Sequence, residues 1–143
     1  MSTLGSAVKA GASALQAERM RIEVAVSNLA NAESTRGPDG QPYRRRDVVL
    51  QSTEVEDFDQ TLGRASAVGV EVAAVVEDQG PARRRYEPSH PDADKDGYVT
   101  LPNVDPAEEM VDMLSAARAY QANLTAIGLI RDLVQRALDL GRG

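Results

Sequence analysis

Apolar residues recur every seventh position at the two ends of the chain and every second position in its middle. Near the N-terminus Val8, Leu15, Ile22 and Leu29 keep the seven-residue interval. Ala12, Ala25 and Val26 widen that stripe, and Leu4 extends it upstream. Such spacing places the side chains on one face of a helix. Gly5 and Gly11 weaken that helix in isolation. Asn28 and Asn31 suit its end, and RGPDGQP after Thr35 stops it. From Pro106 to about Leu140 the helical period returns. Met113, Tyr120, Ile127 and Val134 recur every seven residues, with Met110, Ala117 and Leu124 beside them. Asp105 is a suitable N-cap, and Pro106 sits where a missing N–H costs nothing. Glu108 and Glu109 occupy the first turn, as the helix dipole prefers, and Gly141 is a plausible stop. At about 1.5 Å per residue this second helix is roughly 50 Å long.

The middle reads differently and holds all seven prolines if Pro106 is included. YRRRDVVLQ (43–51) and VGVEVAAVVED (68–78) are β-branched and strand-like. In the second, Val70, Val72, Ala74 and Val76 share one face, with Glu71 and Glu77 on the other. RRRYEP (83–88) and GYVTLP (97–102) are short candidate strands, and the polar, acidic 53–67 reads as a loop or short helix. The expected fold class is α+β. Long N-terminal (1–35) and C-terminal (106–143) helices pair as a coiled-coil-like hairpin forming one discontinuous domain, and 36–105 is a small β-rich insertion with one antiparallel sheet. Two such helices cover each other incompletely. Packing against copies or relatives satisfies them, and a head-to-tail contact that does not close makes a filament.

Composition narrows the function. Apolar content is 42%, yet aromatics are 3%, with one Phe and no Trp. Deep substrate pockets are usually lined by apolar and aromatic side chains, so the balance leans away from an enzyme. A formal charge of −6 disfavours bulk attraction to nucleic acid or an anionic membrane. The absence of cysteine excludes disulfides, thiolate nucleophiles and Cys-based metal sites. No apolar run reaches the roughly 20 residues needed to span a bilayer. Lys9, Glu18, Arg19, Arg21 and Glu23 interrupt any secretory h-region, so export requires a route that reads no cleaved signal.

The stretch PDADKDGYVTLP (91–102) opens like an EF-hand loop, with Asp92, Asp94, Asp96 and Gly97 at the expected positions. Its twelfth position is Asn103 where a bidentate Glu is required, and Pro88, Pro91 and Pro102 forbid the flanking helices. The preferred reading is a polar turn, in which aspartates satisfy backbone N–H groups and Gly97 is left-handed, feeding a strand at Tyr98. A weak calcium site at Asp92–Asp96 is the alternative. His90, the single histidine, has no partner cluster in sequence and reads as structural. The runs Arg44–Arg46 and Arg83–Arg85 admit three readings. A solvated face balanced by acidic loops is preferred over a phosphate patch, and contact with an acidic neighbour is the third. NLT (123–125) lies within the second helix and carries little weight as a glycosylation acceptor. In SNLANAEST (27–35), Asn28 and Asn31 fall on one helix face. They either cap carbonyls or order the turn out of the helix and fix a contact with a neighbouring chain.

SNLANAEST resembles the N-terminal signature of bacterial flagellar rod, hook and hook-associated proteins. YRRRDVV (43–49), HPDADKDGYVTLPNVDPAEEMVDML (90–114) and ARAYQANLTAI (117–127) are similar to the C-type proximal-rod subunits of that family over nearly the whole chain. Glu33 departs from the small polar residue usual there. The resemblance implies a structural, non-enzymatic subunit without cofactor, metal or small-molecule substrate. It implies export by the flagellar type III apparatus without a cleaved signal and assembly into the periplasm-spanning rod that carries torque. Implied partners are other rod subunits, basal-body ring and rod-adapter proteins, and the export apparatus. Neither nucleic acid nor membrane insertion is implied. Implied subunit-contact residues are Asn28, Ala30, Asn31 and Thr35, with Met110, Met113 and Tyr120 on the second helix. A helical-hairpin adaptor or export chaperone is the alternative function; a calcium-responsive or hydrolytic enzyme is disfavoured by Asn103 and the lone His90.

Overall fold

The computed structural model describes residues 2–37, 40–54 and 68–141. Two long helices, α1 (Ser2–Ala30) and α2 (Pro106–Leu140), bracket β1 (Arg46–Glu54), β2 (Val68–Glu77), β3 (Arg83–Tyr86) and β4 (Tyr98–Leu101). The α+β class is as expected, and α2 has the predicted limits. The strands form two separate two-stranded sheets, β1–β2 and β3–β4, where the sequence suggested one. Pro81 precedes β3 and Pro102 follows β4, and a residue without an N–H cannot extend a ladder there. β1 starts later and ends later than predicted, taking in Thr53 and Glu54. The rest of the expected 53–67 loop or short helix, residues 55–67, lies outside the described residues.

The chain divides into two compact units. Unit 1 comprises residues 1–20, 50–73 and 115–143. Within it the helical segments run antiparallel, with Gly11 against Ile127. A Cβ at Gly11 would lie 3.0 Å from Ile127 Cγ1, so the glycine that weakens the helix in isolation admits the Ile127 side chain of α2. The Val70 amide donates to Ser13 Oγ at 3.1 Å, tying β2 to α1. Gln51 and Glu71 are bonded across the β1–β2 pair.

Unit 2 comprises residues 21–49 and 74–114. Its core is Ala25, Ala32, Val99, Leu101, Pro102 and Val104. β3 and β4 pair antiparallel, with Arg83 opposite Leu101 and Tyr86 opposite Tyr98. Val99 and Leu101 are buried while Tyr98 and Thr100 are exposed, the alternation a one-sided sheet requires. Tyr86 and Tyr98 meet edge to face at 5.2 Å, and the Arg84 guanidinium lies 4.8 Å from the Tyr98 ring centre.

Three periodicity expectations are corrected. On α1 the buried positions are Ser6, Ala17, Ala25 and Asn28, while Val8, Ala12 and Val26 are exposed. Ser6, Ala17 and Asn28 are eleven residues apart, close to three helical turns. Small side chains let helices approach closely and push larger ones to the flanks. On α2 the inward line is Glu109, Met113, Ala116, Tyr120, Asn123, Ile127, Ile130 and Val134, all buried or half-buried. Met110, Ala117 and Leu124 face outward. On β2 only Val70 and Val72 are half-buried, and Ala74 and Val76 are exposed.

The Asp-rich stretch is a turn. Asp94 Oδ1 accepts from the amides of Asp96 and Tyr98, each at 2.9 Å, and the Gly97 amide donates to Asp94 O at 3.0 Å. Gly97 has φ 81°, and a Cβ there would lie 2.9 Å from the Tyr86 ring. His90 Nδ1 accepts from the Asp92 amide at 3.0 Å, which makes it part of the same turn. The Tyr98 amide bond is the main cause of the lowered Asp94 pKa, with the Asp96 amide and Arg84 adding to it.

Two outcomes are expected. Gly97→Ala, strained in φ and in contact with Tyr86, lowers unfolding stability by about 1–3 kcal/mol in urea titration. A lowered folded-state pKa makes the Asp94 contribution present above the unfolded aspartate value and lost as pH falls through the folded one. The Tyr98 amide resonance therefore titrates with a midpoint below the usual aspartate value of 3.8, and Asp94→Asn removes that titration.

Candidate functional site

All the contacts described next lie within unit 2. Asn28 sits in the last turn of α1 and is 1% exposed. Its Oδ1 accepts from the Arg46 amide and the Tyr43 hydroxyl, each at 2.9 Å. Its Nδ2 donates to Arg46 O at 2.8 Å and to Glu109 Oε2 at 2.9 Å. A side-chain amide has two donor hydrogens and two acceptor lone pairs, so every one is used. The pair of bonds to Arg46 captures both its peptide groups, as a neighbouring strand would.

Glu109, 2% exposed on the inward line of α2, is the second member. Its Oε1 accepts from Arg45 Nε at 2.6 Å. Arg45 also lies 3.6 Å from Asp47 and 3.8 Å from Asp112. Burial pulls the Arg45 pKa down, but the Glu109 hydrogen bond and the surrounding carboxylates outweigh it and hold the pKa above the usual value. Arg45 is thus a permanent cation. Asp105 caps α2 from outside this cluster, accepting from the Ala107 amide at 2.8 Å.

Asn31 Nδ2 bonds Ser27 O at 2.8 Å, and its own carbonyl accepts from Ser34, so it caps α1. Thr35 Oγ1 donates to Asp92 Oδ2 at 2.7 Å, while Arg36 reaches Asp92 Oδ1 at 3.0 Å. These bonds tie the segment leaving α1 to the Asp-rich turn. Ala30 and Met110 are exposed, and Met113 is half-buried. Tyr120, half-buried, belongs to unit 1. The arginine runs separate residue by residue. Arg44 reaches Gln79 at 3.3 Å and Arg46 lies 5.6 Å from the Tyr43 ring centre. Arg84 pairs with Asp94, and Arg85 with Glu87 and the divergent Glu33.

The sequence reading did not find Tyr43, Arg45 or the true role of Glu109. A signal existed. Glu109, Ala116, Asn123 and Ile130 keep the seven-residue interval, and a carboxylate on an inward line requires a partner. Among the described residues no group of three or more His, Cys, Asp or Glu is placed to hold a metal ion. No described helix is long and apolar enough to cross a membrane.

Residues 9–38 match the family described as Flagella basal body rod protein. Residues 95–140 match the Flagellar basal body rod FlgEFG protein C-terminal family. The chain is 48% identical over 130 residues to the flagellar basal-body rod protein FlgC of Salmonella typhimurium, covering 91% of this chain and 92% of that one. It is 43% identical over 141 residues to the FlgC of Bacillus subtilis, covering 92% and 93%. It is 39% identical over 154 residues to that of Borreliella burgdorferi, covering 98% and 99%. The first matched segment carries Asn28 and the second carries Glu109, the two ends of one hydrogen bond.

Removing Glu109 leaves one Asn28 N–H without a partner and takes from Arg45 its closest carboxylate, leaving the more distant Asp47 and Asp112. Glu109→Ala is expected to cost about 3 kcal/mol, the low end for a broken buried pair because Arg45 is partly solvated. Glu109→Gln keeps an acceptor for Asn28 and is expected to cost about half as much. The urea midpoints of the two variants measure the difference.

Proposed function

Because the chain belongs to the FlgC family of flagellar basal-body rod proteins and is a structural subunit of that rod, we propose that it polymerises into the proximal rod through the outward faces of its terminal helices. The observation that supports this reading is the apolar surface those helices leave uncovered. In unit 2, Met110, Val111 and Leu114 are exposed on α2, Val111 at 65%. In unit 1, Leu129 and Leu133 are each 61% exposed, and Leu4 and Val8 are exposed on α1. Contiguous apolar surface on a helix is a protein-contact signal, and ordering it against neighbours offsets the entropy of fixing long helices.

The family places the chain in the basal body, assembled with other rod components. In our reading it crosses the periplasm as part of a torque-bearing shaft and meets other rod subunits and the ring and rod-adapter proteins. It reaches its place through the flagellar type III apparatus without a cleaved signal. Ala30 and Met110 touch neighbours directly. Asn28, Asn31, Thr35, Met113 and Tyr120 hold the shape of the surface that does so. Nothing in this role calls for catalysis, and the adaptor alternative gives way to family membership.

Leu129 and Leu133 lie one turn apart on an exposed face, so Leu129→Glu/Leu133→Glu leaves the folded monomer intact, as circular dichroism should show. In cells lacking their own rod subunit this variant is expected to be produced but to restore no swimming. Normal swimming would remove the helix-face mode of assembly.

A further inference from the structure

Arg44, Arg45 and Arg46 are successive, and they have different partners. Arg45 runs to Glu109. Arg44 and Arg46, with Arg36, line a groove of about 510 Å³ whose wall includes Pro42 and Tyr43. The groove lining includes one carboxylate, Glu77, and Asp92 meets Arg36 from outside it. Arg36 is paired with Asp92, but among the described residues neither Arg44 nor Arg46 is in an ion pair. A net positive groove on a chain of net charge −6 is a local feature that bulk composition hides.

The complementary charge lies in the same unit. Asp105, Glu108 and Asp112 fall three and four residues apart on one face at the start of α2, and all are exposed. Glu108 has no ion-pair partner among the described residues. Ala107, Glu108, Val111, Asp112 and Arg45 line an open surface there. Arg45 therefore borders the acidic surface, and its two neighbours border the basic one. The two surfaces are distinct in charge, and Arg46 also lines a small cleft with Arg45, Glu109 and Asp112.

We propose that these surfaces bind each other between copies: the Asp105–Glu108–Asp112 face of one chain seats in the Arg36–Arg44–Arg46 groove of a second copy. The proposal rests on the rod-subunit reading and adds a polar contact to it. Because the two surfaces differ, the contact is head-to-tail and propagates instead of closing into a symmetric pair. Val111, exposed beside Glu108, has apolar surface to meet on Pro42 and Tyr43. Paired charges of this kind set register and speed encounter, while apolar faces supply most of the affinity.

The chain has no cysteine, so introduced thiols report without background. Gln41→Cys marks the basic groove and Ala107→Cys the acidic face, and both leave every charged residue in place. The two single variants, tagged to differ in mass, are mixed and mildly oxidised. The 41–107 dimer is expected to exceed the 41–41 and 107–107 dimers by about tenfold, and to fade in about 1 M salt. Adding Arg44→Glu/Arg46→Glu to the Gln41→Cys chain removes the product. Pairing that chain with Ala107→Cys carrying Glu108→Arg restores it. Equal yields of the three dimers, no cross-link at the highest soluble concentration, or insensitivity to charge reversal would overturn the proposal. Assembly through the helix faces is read separately by the swimming of Leu129→Glu/Leu133→Glu, so the two readings fail independently.

Discussion

One buried amide organises unit 2. Asn28 uses all four of its hydrogen-bonding positions on two segments remote in sequence: the Tyr43–Arg46 stretch, including both peptide groups of Arg46, and the first turn of α2. The apolar core there is small, built from Val99, Leu101, Pro102, Val104 and two alanines. Burial of so few side chains, at roughly 1.5–3 kcal/mol for a large one, brings the segments together without fixing their register. The Asn28–Glu109 bond supplies register because no shifted arrangement satisfies a buried carboxylate and a buried amide at once. Arg45 completes the set by matching the Glu109 charge. A buried ion pair contributes little net stability relative to apolar packing. Its contribution in this protein is to exclude alternatives.

That division of labour explains where the large apolar side chains went. The line that α1 buries is Ser6, Ala17, Ala25 and Asn28, and α2 answers with Glu109 and Ala116 as its most buried members. Leucine and valine are displaced outward, to Val26, Val111, Leu114, Leu129 and Leu133. Within the chain the segments are held by polar contacts and close backbone approach, as at Gly11 and Ile127. Large apolar side chains such as Val111, Leu129 and Leu133 stay exposed on the chain itself. A monomer built this way has little to gain from folding tightly alone and much to gain from neighbours.

The helices, their caps and the turn at 92–98 were legible in the sequence because each rests on local chemistry. Asp105 followed by Pro106 sets the start of α2, and alternating aspartates before Gly97 set the turn. The inward side of α2 was legible in part: Met113, Tyr120, Ile127 and Val134 are on it, as the heptad interval predicts. Heptad counting selects the largest apolar residues, so it also placed Met110, Ala117 and Leu124 beside the seam, whereas the most buried helix positions are the small and polar Ser6, Ala17, Ala25, Asn28, Glu109 and Ala116. Residues 43–46 were missed for a related reason. Three consecutive arginines read as surface; strand alternation separates Arg45 from Arg44 and Arg46, but nothing local says that Arg45 is the one held inside. The distinction comes from Glu109, sixty-four positions away. The separation of the strands into two sheets also depends on tertiary placement, with the prolines only marking where each ladder stops.

The Asp-rich stretch shows the same principle from the other side. Its carboxylates have the spacing of a cation loop, yet their acceptor capacity is directed at the protein itself. Asp94 takes the Asp96 and Tyr98 amides and the Arg84 guanidinium, and Asp92 takes Thr35 and Arg36. An ion would have to displace charge-assisted bonds that order β4 and hold the exit of α1 to the turn. Those bonds also place the Arg36 side of the basic groove. Asp92 thus belongs to the bonds that tie the exit of α1 to the turn, and the features that first resemble a metal loop are accounted for by contacts within the protein itself.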